Sequence, residues 1–483
     1  MSQPYEIIII GAGFAGIGAA IQLKKMNAHF LLLEKSSEIG GVWRDNNYPG
    51  CGCDVPSPLY SYSFSPNPNW THLFGKQDEI KQYTLDTADK FGINDHIRTN
   101  TELLKSSWDE TNHHWRIETT QETYKAKFII MACGPMHVPI IPKIPGLETF
   151  TGKYFHSSHW DYNCNLKDKR VAVIGSGASA IQFVPKIYPE VKELSLFQRT
   201  APWVLPKADL IFSDQWKKTF AKYPITQKIL RLFIYYLFEV FNASLKYPWL
   251  AKKIQVSGIK NIYRGVKDPE LRKRLIPSFA IGCKRILLSN TWYKTLGKTN
   301  VHVLSGIKKI DGSTLYSQDD QNSEADVIIF GTGFEVTTMP ITQRIFGVSG
   351  KSLSERFDGS PQAYLGTMTE DCPNLFLTFG PNLYTYTSAF VIFEAQLKFI
   401  TSAIQTARKK TLSSISVKPE LLTEFNHEIQ YSLKKSIWSS GCTSYFLDKK
   451  GNNNTTWPWT SFYMRYRLRK FQHNDYITKE LIK

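Results

Sequence analysis

The chain has 483 residues, 42% of them hydrophobic and 21% charged, the balance of a globular protein with room for two to three domains. This excludes a disordered chain, a collagen and a coiled coil, and a chain this long needs neither disulfide nor metal to hold its core. Lysine and arginine outnumber aspartate and glutamate by 59 to 42, a net charge of +17, which gives either a solubilising surface or one that attracts anionic cofactors or acidic membranes; with no zinc-finger, helix-turn-helix or RNA-binding signature, nucleic acid is not an expected partner.

The seven cysteines are mostly isolated. None shows zinc-site spacing, so no metal is expected. The opening MSQPYEIIII runs straight into a strand-like segment and lacks the layout of a signal peptide. The expected setting is a reducing cytoplasm.

The first predicted unit begins at Tyr5. YEIIII reads as a buried strand, Gly11-Ala-Gly13-Phe-Ala-Gly16 as a turn, and IGAAIQLKK as a helix. Gly11 permits the tight turn, Gly13 lets the backbone approach a pyrophosphate at the helix N-terminus, and Gly16 lets helix and strand pack closely. The next strand, FLLLE, ends in Glu34. A carboxylate there accepts hydrogen bonds from a ribose diol and repels a 2′-phosphate, so the site fits FAD or NAD rather than NADP.

A second strand-turn-helix unit begins at Arg170. RVAVI is followed by Gly175-Ser-Gly177-Ala-Ser-Ala180 and the helix-like IQFVPKI, with Ala180 in place of the third glycine. Glu34 stands 23 residues after Gly11, and the same offset from Gly175 reaches Gln198, followed by Arg199. The acid is gone and a cation stands beside its place, the arrangement expected for a nucleotide with a 2′-phosphate. Opposite 2′ preferences in two folds indicate two cofactors, FAD first and NADPH second.

Two further strand-plus-glycine segments, Phe128–Gly134 and Asp326–Phe334, flank the second unit and resemble the crossing segments of flavoproteins that bind two dinucleotides. The expected architecture is α/β, with two Rossmann-like domains. An NADPH domain at about 151–330 is inserted into an FAD domain formed by 1–150 and 331–483. Within the insert, about 208–280 reads as a helical excursion. Its most apolar stretch, Ile229 to Phe241, is interrupted by Arg231 and Glu239 and is shorter than a membrane span. It reads as a buried or pocket-lining helix, with a peripheral membrane contact as the alternative.

The segment from Gly40 through Gly41, Trp43, Tyr48 and Pro49 to Asp54 resembles the first fingerprint of type I Baeyer–Villiger monooxygenases. Phe150-Thr-Gly152-Lys-Tyr-Phe-His156-Ser-Ser-His-Trp160-Asp161 resembles the second, and it precedes the second nucleotide fold as it does in that family. The resemblance covers almost the whole chain. It implies that Arg199 and Thr200 read the 2′-phosphate with Lys284, that Arg285 sits over the flavin and is positioned by Asp54, that Gly41, Trp43 and Asn382 belong to the flavin site, and that His156, Trp160 and Asp161 form a hinge between the domains. Two departures stand out: LYTYTS follows Asn382 where relatives have a Gly-His-Asn-like stretch, and Ser444-Tyr445 stands where relatives have Ser-Trp. Both bear on the substrate rather than on the cofactors.

The implied reaction takes NADPH and O2 and, through a C4a-peroxyflavin, inserts one oxygen atom next to a ketone carbonyl to give an ester or lactone. Arg285 would stabilise the anionic oxygen. The related N- and S-oxygenating flavin monooxygenases, acting on amines and sulfides, are the alternative. A pyridine-nucleotide disulfide reductase would share the architecture but need a redox-active cysteine pair, and Cys51-Gly-Cys53 lacks the spacer. A non-enzymatic nucleotide-binding protein is the remaining reading. The sequence leaves the oligomeric state open.

Overall fold

A computed structural model describes residues 4–337, 339–441, 446–448 and 450–480. Tyr5–Ile10 (β1) is apolar on both faces, and Ile7, Ile8 and Ile9 are wholly buried, as a strand covered on both sides requires. It pairs in parallel with Phe30–Leu33 (β2), Ile7 opposite Phe30 and Ile10 opposite Leu33. Ile97–Arg98 (β3) extends that edge. Leu103–Asp109 (β4), His114–Thr119 (β5) and Thr123–Met131 (β6) form an antiparallel ladder, and β6 returns to pair with β1 in parallel. Two strands from late in the chain, Ile345–Phe346 and Leu375–Leu377, complete this eight-stranded sheet against β4 and β6.

A second sheet has five strands, all parallel. Lys153–His156 (β7), Arg170–Ile174 (β8) and Glu193–Phe197 (β9) combine with Val301–Leu304 and Val327–Phe330, in the spatial order Val301–Leu304, β9, β8, Val327–Phe330, β7. The chain therefore leaves the first sheet, builds the second between 153 and 330, and comes back.

Each sheet feeds a helix through the same turn. After β1, Gly11 takes φ +103°, its N–H bonds the Leu33 carbonyl at 2.8 Å, and Phe14–Lys25 (α1) begins. After β8, Gly175 takes φ +104° and its N–H bonds the Phe197 carbonyl at 3.0 Å. Beside α1, Val42–Asp45 (α2) packs on Gln77–Lys90 (α3). The second turn leads into Ala180–Ile187 (α4). The two folds differ at the third glycine position. A methyl on Gly16 would stand 1.9 Å from the Gly11 carbonyl oxygen, so only glycine fits there, whereas the second fold carries the Ala180 methyl against Gly331.

The helical excursion is Asp214–Lys222 (α5), Pro224–Ser244 (α6), Pro248–Gly265 (α7) and Pro269–Leu275 (α8). Proline opens the last three, where its missing N–H costs no helical bond. The expectation of a buried helix at Ile229 to Phe241 needs correction. Ile234 and Tyr235 of α6 are buried, but Ile229, Leu232, Phe233, Tyr236, Leu237 and Val240 face solvent. The protein side of α6 holds Ile234 and Tyr235 together with polar residues that bond to the body of the molecule, and a second apolar stripe is left facing outward. Among the described residues, no helix is long and apolar enough to cross a membrane.

Gly152 sets the approach between the second fingerprint and the strand Val327–Phe330. An added Cβ would stand 2.2 Å from the Asp326 carbonyl oxygen and 2.7 Å from the Phe150 ring. Gly152→Ala is expected to cost about 1–3 kcal/mol by overpacking and to lower the midpoint of thermal unfolding by several degrees, as followed by circular dichroism.

Candidate active site

A cavity of about 570 Å3 opens at the C-terminal end of β1. Gly11, Gly13, Glu34, Gly41, Trp43, Asp54 and Arg285 all lie in its wall. The glycines explain the wall's shape. A methyl on Gly11 would meet the Ala132 carbonyl oxygen at 2.7 Å, whereas one on Gly13 would find nothing closer than the Gly41 Cα at 3.8 Å. The space at Gly13 is cavity. Helix α1 starts there without a side-chain cap and without an acid in its first turn, so its free N–H groups and positive dipole end face the opening. Glu34 is buried and accepts from the Ala12 N–H (2.8 Å), the Ser36 N–H (3.0 Å) and Arg44 Nη1 (3.2 Å). A carboxylate offers about four lone-pair positions, so one remains for a hydroxyl. The Thr387 hydroxyl, buried in the same wall, has no partner among the described residues.

The first fingerprint folds over this wall. Trp43 Nε1 donates to the Tyr60 hydroxyl at 3.0 Å. The loop at 48–54 is then tied to the other sheet through one side chain on α4. Gln182 Oε1 accepts from the Tyr48 hydroxyl (3.0 Å) and the Gly52 N–H (3.3 Å), and its Nε2 donates to the Gly52 carbonyl (2.9 Å). The second fingerprint adds aromatic contacts. Trp160 packs on Phe155 and on Phe183 of α4, both with ring centroids 5.3 Å apart, and Tyr48 meets Phe183 from the other side at 6.0 Å. The Tyr162 hydroxyl donates to the Asn47 carbonyl at 2.5 Å. Asp161 accepts from the Asn163 N–H and lies 3.6 Å from Lys153 Nζ.

Behind this loop, Arg285 Nη2 donates to Asp54 Oδ2 at 2.5 Å, with both side chains half-buried in the cavity wall. A guanidinium is planar and rigid, so the bond to Asp54 helps to set the plane of its donor fork at the cavity wall. Lys207 Nζ bonds the Cys53 carbonyl at 3.2 Å and lies over the Phe74 ring, fixing the backbone next to Asp54.

The second turn repeats the anion-binding features. Gly177 has no atom within 3.8 Å of an added Cβ, and α4 starts without a side-chain cap or an acid in its first turn. Beyond it, burial and the like charge of Arg199 push the Lys284 ammonium below its ordinary range. Arg199 and Lys284 thus bring two positive charges near each other beyond the second turn.

Over 477 residues the chain is 40% identical to a Baeyer–Villiger monooxygenase of Streptomyces coelicolor, a match covering 98% of this chain and 92% of that one. The chain belongs to the Baeyer–Villiger monooxygenase family. A Baeyer–Villiger monooxygenase of Pseudomonas aeruginosa is 39% identical, with 98% and 91% of the two chains covered. Residues 8–213 also match the family described as pyridine nucleotide-disulphide oxidoreductase. Among solved structures, an oxidised steroid monooxygenase bound to NADP has a TM-score of 0.88 at 25% identity, over 99% of this chain and all of that one. A cyclohexanone monooxygenase from Rhodococcus sp. Phi1 shares the fold at the same TM-score and 24% identity, over the same shares of the two chains.

The match to disulphide oxidoreductases does not extend to their chemistry. Cys51 and Cys53 are free and buried. Burial pushes the Cys51 thiol up to about 12 and raises that of Cys53 as well, whereas an attacking thiolate needs the opposite shift. Asn382 is buried, and its amide donates to the Asn453 (2.7 Å) and Thr456 (3.2 Å) carbonyls beside Trp457, while its Oδ1 has no partner among the described residues. From the LYTYTS stretch, Tyr384, Thr385 and Thr387 do line the cavity, and Tyr386 stacks on Trp438 at 5.2 Å. Ser444 and Tyr445 lie outside the described residues. Gln182, Lys207 and Tyr60 carry no sequence signal, because each acts through the main chain or a single hydroxyl of a residue distant in sequence.

His156 ends β7 and caps the turn Ser157–His159, its Nδ1 accepting from the Ser158 N–H at 3.1 Å. Burial and the nearby His159 push the imidazole down to about 4. Above about 6.5 the ring is neutral in folded and unfolded chains alike and the shift has no effect on stability. Between about 6.5 and 4 only the unfolded chain takes up the proton, so stability falls as pH falls, by up to about 1.4 kcal/mol per pH unit. His156→Gln is expected to flatten the pH dependence of thermal unfolding across that window relative to the parent.

Proposed function

We propose that this chain is an FAD-dependent, NADPH- and O2-consuming monooxygenase that inserts one oxygen atom next to a ketone carbonyl, giving an ester or lactone. The observation that carries the reading is the Asp54–Arg285 pair, formed across 231 residues of sequence in the wall of the cavity. Residues 1–150 and 331–483 supply the flavin site and 151–330 the NADPH site, in a cytoplasmic setting where NADPH is available.

The residues present fit both cofactors. The α1 N-terminus and Gly13 would receive the FAD pyrophosphate, and Glu34 its ribose. The α4 N-terminus with Gly175, Gly177 and Ala180 would receive the NADPH pyrophosphate, and Arg199, Thr200 and Lys284 the 2′-phosphate. Bound FAD, reduced by NADPH, supplies the activation of O2 that no side chain can perform. The chain's own task is to bind, orient and stabilise negative charge. Arg285 remains charged throughout the working pH range and offers fixed donors to an oxyanion developing on the carbonyl, while Asp54 sets its direction. Tyr384, Thr385 and Thr387 bound the space for the ketone. Gly152, His156, Trp160 and Asp161 act as positioning residues at the crossing into the second sheet, where small changes in geometry alter turnover and apparent affinity together.

Arg285→Ala is expected to retain FAD and to lose ester formation by about a hundred- to a thousandfold at saturating NADPH, with Arg285→Lys recovering little. Ester production by Arg285→Ala at the parent rate would remove Arg285 from the reaction. Product identification with a ketone and a thioether tests the reaction type, and oxidation of the thioether alone would replace ketone oxygenation by heteroatom oxygenation. Arg199→Ala should weaken NADPH about ten- to a hundredfold, the worth of one charge-assisted bond, and leave NADH kinetics nearly unchanged. Equal losses for the two nucleotides would show that Arg199 does not read the phosphate.

A further inference from the structure

Helix α6 turns a long apolar stripe to solvent. Its inner face is mixed: Ile234 and Tyr235 are buried with Leu59 and Val391, and polar residues beside them bond to the body of the molecule. The Gln227 amide donates to the Asn67 carbonyl at 2.6 Å, Arg231 donates to the Pro58 and Ser61 carbonyls at 2.8 Å each, and Asn242 donates to the Thr385 hydroxyl at 3.1 Å. Glu239 accepts from the Ser461 N–H at 3.1 Å. These bonds fix the roll of the helix. The outer face then has to carry Ile225, Ile229, Leu232, Phe233, Tyr236 and Val240, each at least half exposed, with Ile225 and Ile229 at 61% and Val240 at 66%. Their spacing makes one stripe, about 22 Å long at helical rise. Trp249, near the start of α7, is exposed to the same extent, at 61%. Contiguous apolar surface of this kind on an otherwise polar protein marks an interaction site.

The charge around the stripe selects the partner. From residue 214 to 265 the chain has ten lysines and arginines and two acids; Arg231 and Glu239 are turned inward, and Asp214 pairs with Lys217, so the outward balance is strongly basic. A two-fold symmetric dimer through this face would set the basic surface against itself. An apolar stripe flanked by lysines is instead complementary to acyl chains beneath anionic headgroups. We propose that the outer face of α6, with the surrounding lysines, docks the enzyme on an anionic lipid bilayer surface, peripherally and without crossing it. The inner face of the same helix holds two segments of the cavity wall, through Arg231 at the loop carrying Tyr60 and through Asn242 at Thr385. The docked enzyme therefore carries its cavity next to the lipid.

The test is co-sedimentation of the FAD-loaded enzyme with vesicles of phosphatidylcholine alone and of phosphatidylcholine containing one third phosphatidylglycerol. It needs no turnover, so its outcome is independent of the reaction assigned above. The enzyme is expected to sediment with the anionic vesicles, far less with the neutral ones, and to be released by high salt. The triple variant Leu232→Ser, Phe233→Ser, Tyr236→Ser should lose about tenfold or more of the vesicle affinity while keeping FAD and its rate of NADPH oxidation. Should that variant fold poorly, Lys222→Glu with Lys228→Glu must produce the same loss on anionic vesicles with the apolar stripe intact. Failure of the parent enzyme to bind anionic vesicles at low salt would overturn the proposal, as would equal binding by parent and both variants. A concentration-dependent dimer abolished by the serine substitutions would assign the face to a second copy and likewise overturn it.

Discussion

At two places in this chain a strand must turn into a helix with no side chain in the corner. At Gly11 and at Gly175 the backbone adopts a positive φ that L-residues avoid, and a Cβ would run into a carbonyl oxygen of the crossing segment opposite, Ala132 in one fold and Gly331 in the other. Because the corner is that tight, each helix begins directly behind its strand, with its N–H groups uncapped and aimed outward. Everything that handles phosphate follows from these corners. The helix dipoles are worth little to a neutral ligand and much to a pyrophosphate, so the same backbone feature suits a nucleotide at either corner, and the residues at the end of the second strand set the two apart. Glu34 at one and Gln198-Arg199 at the other give opposite signs of charge where the two ribose edges would lie.

Two such folds do not by themselves make an oxygenating site, because the reacting centre must be assembled from both. The joint is built of short-range contacts. Gln182 satisfies both its amide oxygen and its amide nitrogen on the first fingerprint, and Phe183 on the same helix turn is covered by Tyr48 and Trp160 from either side. Their effect is to hold the loop that ends in Asp54, and Asp54 in turn holds Arg285. A half-buried ion pair of this kind adds little to stability. Its value is directional, since it gives a long side chain one orientation out of many before any substrate arrives. A line of contacts thus runs from helix α4 through the main chain at Gly52 to the Asp54 carboxylate and then to the Arg285 guanidinium.

Much of this was legible in the sequence, and the part that was not has a physical explanation. Strand, turn and helix at 5–25 and 170–187 are local, and glycine spacing reports them directly. Long fingerprints are local too, which is why Trp43, Asp54, Trp160 and Arg285 could be named in advance and why Asp54 and Arg285 meet as expected. Residues that act on a distant main chain escaped, Gln182 and Lys207 among them, because a glutamine or lysine in a helix or loop looks the same whether or not a carbonyl waits for it. The bonds of the Asn382 amide to the Asn453 and Thr456 carbonyls escaped for the same reason, since both acceptors lie some seventy residues away in sequence. The α6 segment misled through composition. Thirteen mostly apolar residues from Ile229 to Phe241 are more than one buried face can hold, and here Gln227, Arg231, Glu239 and Asn242 share the interior side with Ile234 and Tyr235, which leaves the other apolar residues outside.

The order of strands has a consequence for how the chain comes off the ribosome. The five-stranded sheet is complete once Val327–Phe330 has emerged, yet the eight-stranded sheet around β1 still waits for Ile345–Phe346 and Leu375–Leu377, and helix α1 for the helix Ala389–Lys409 that packs on it. The half begun first is finished last. During synthesis the nascent chain thus carries a completed inner fold inside an outer one whose strand edges at β4 and β6 are still open, edges of the kind that invite pairing with other chains. The wall of the cavity is likewise complete only once Phe393 has been made, about four-fifths of the way along the polypeptide.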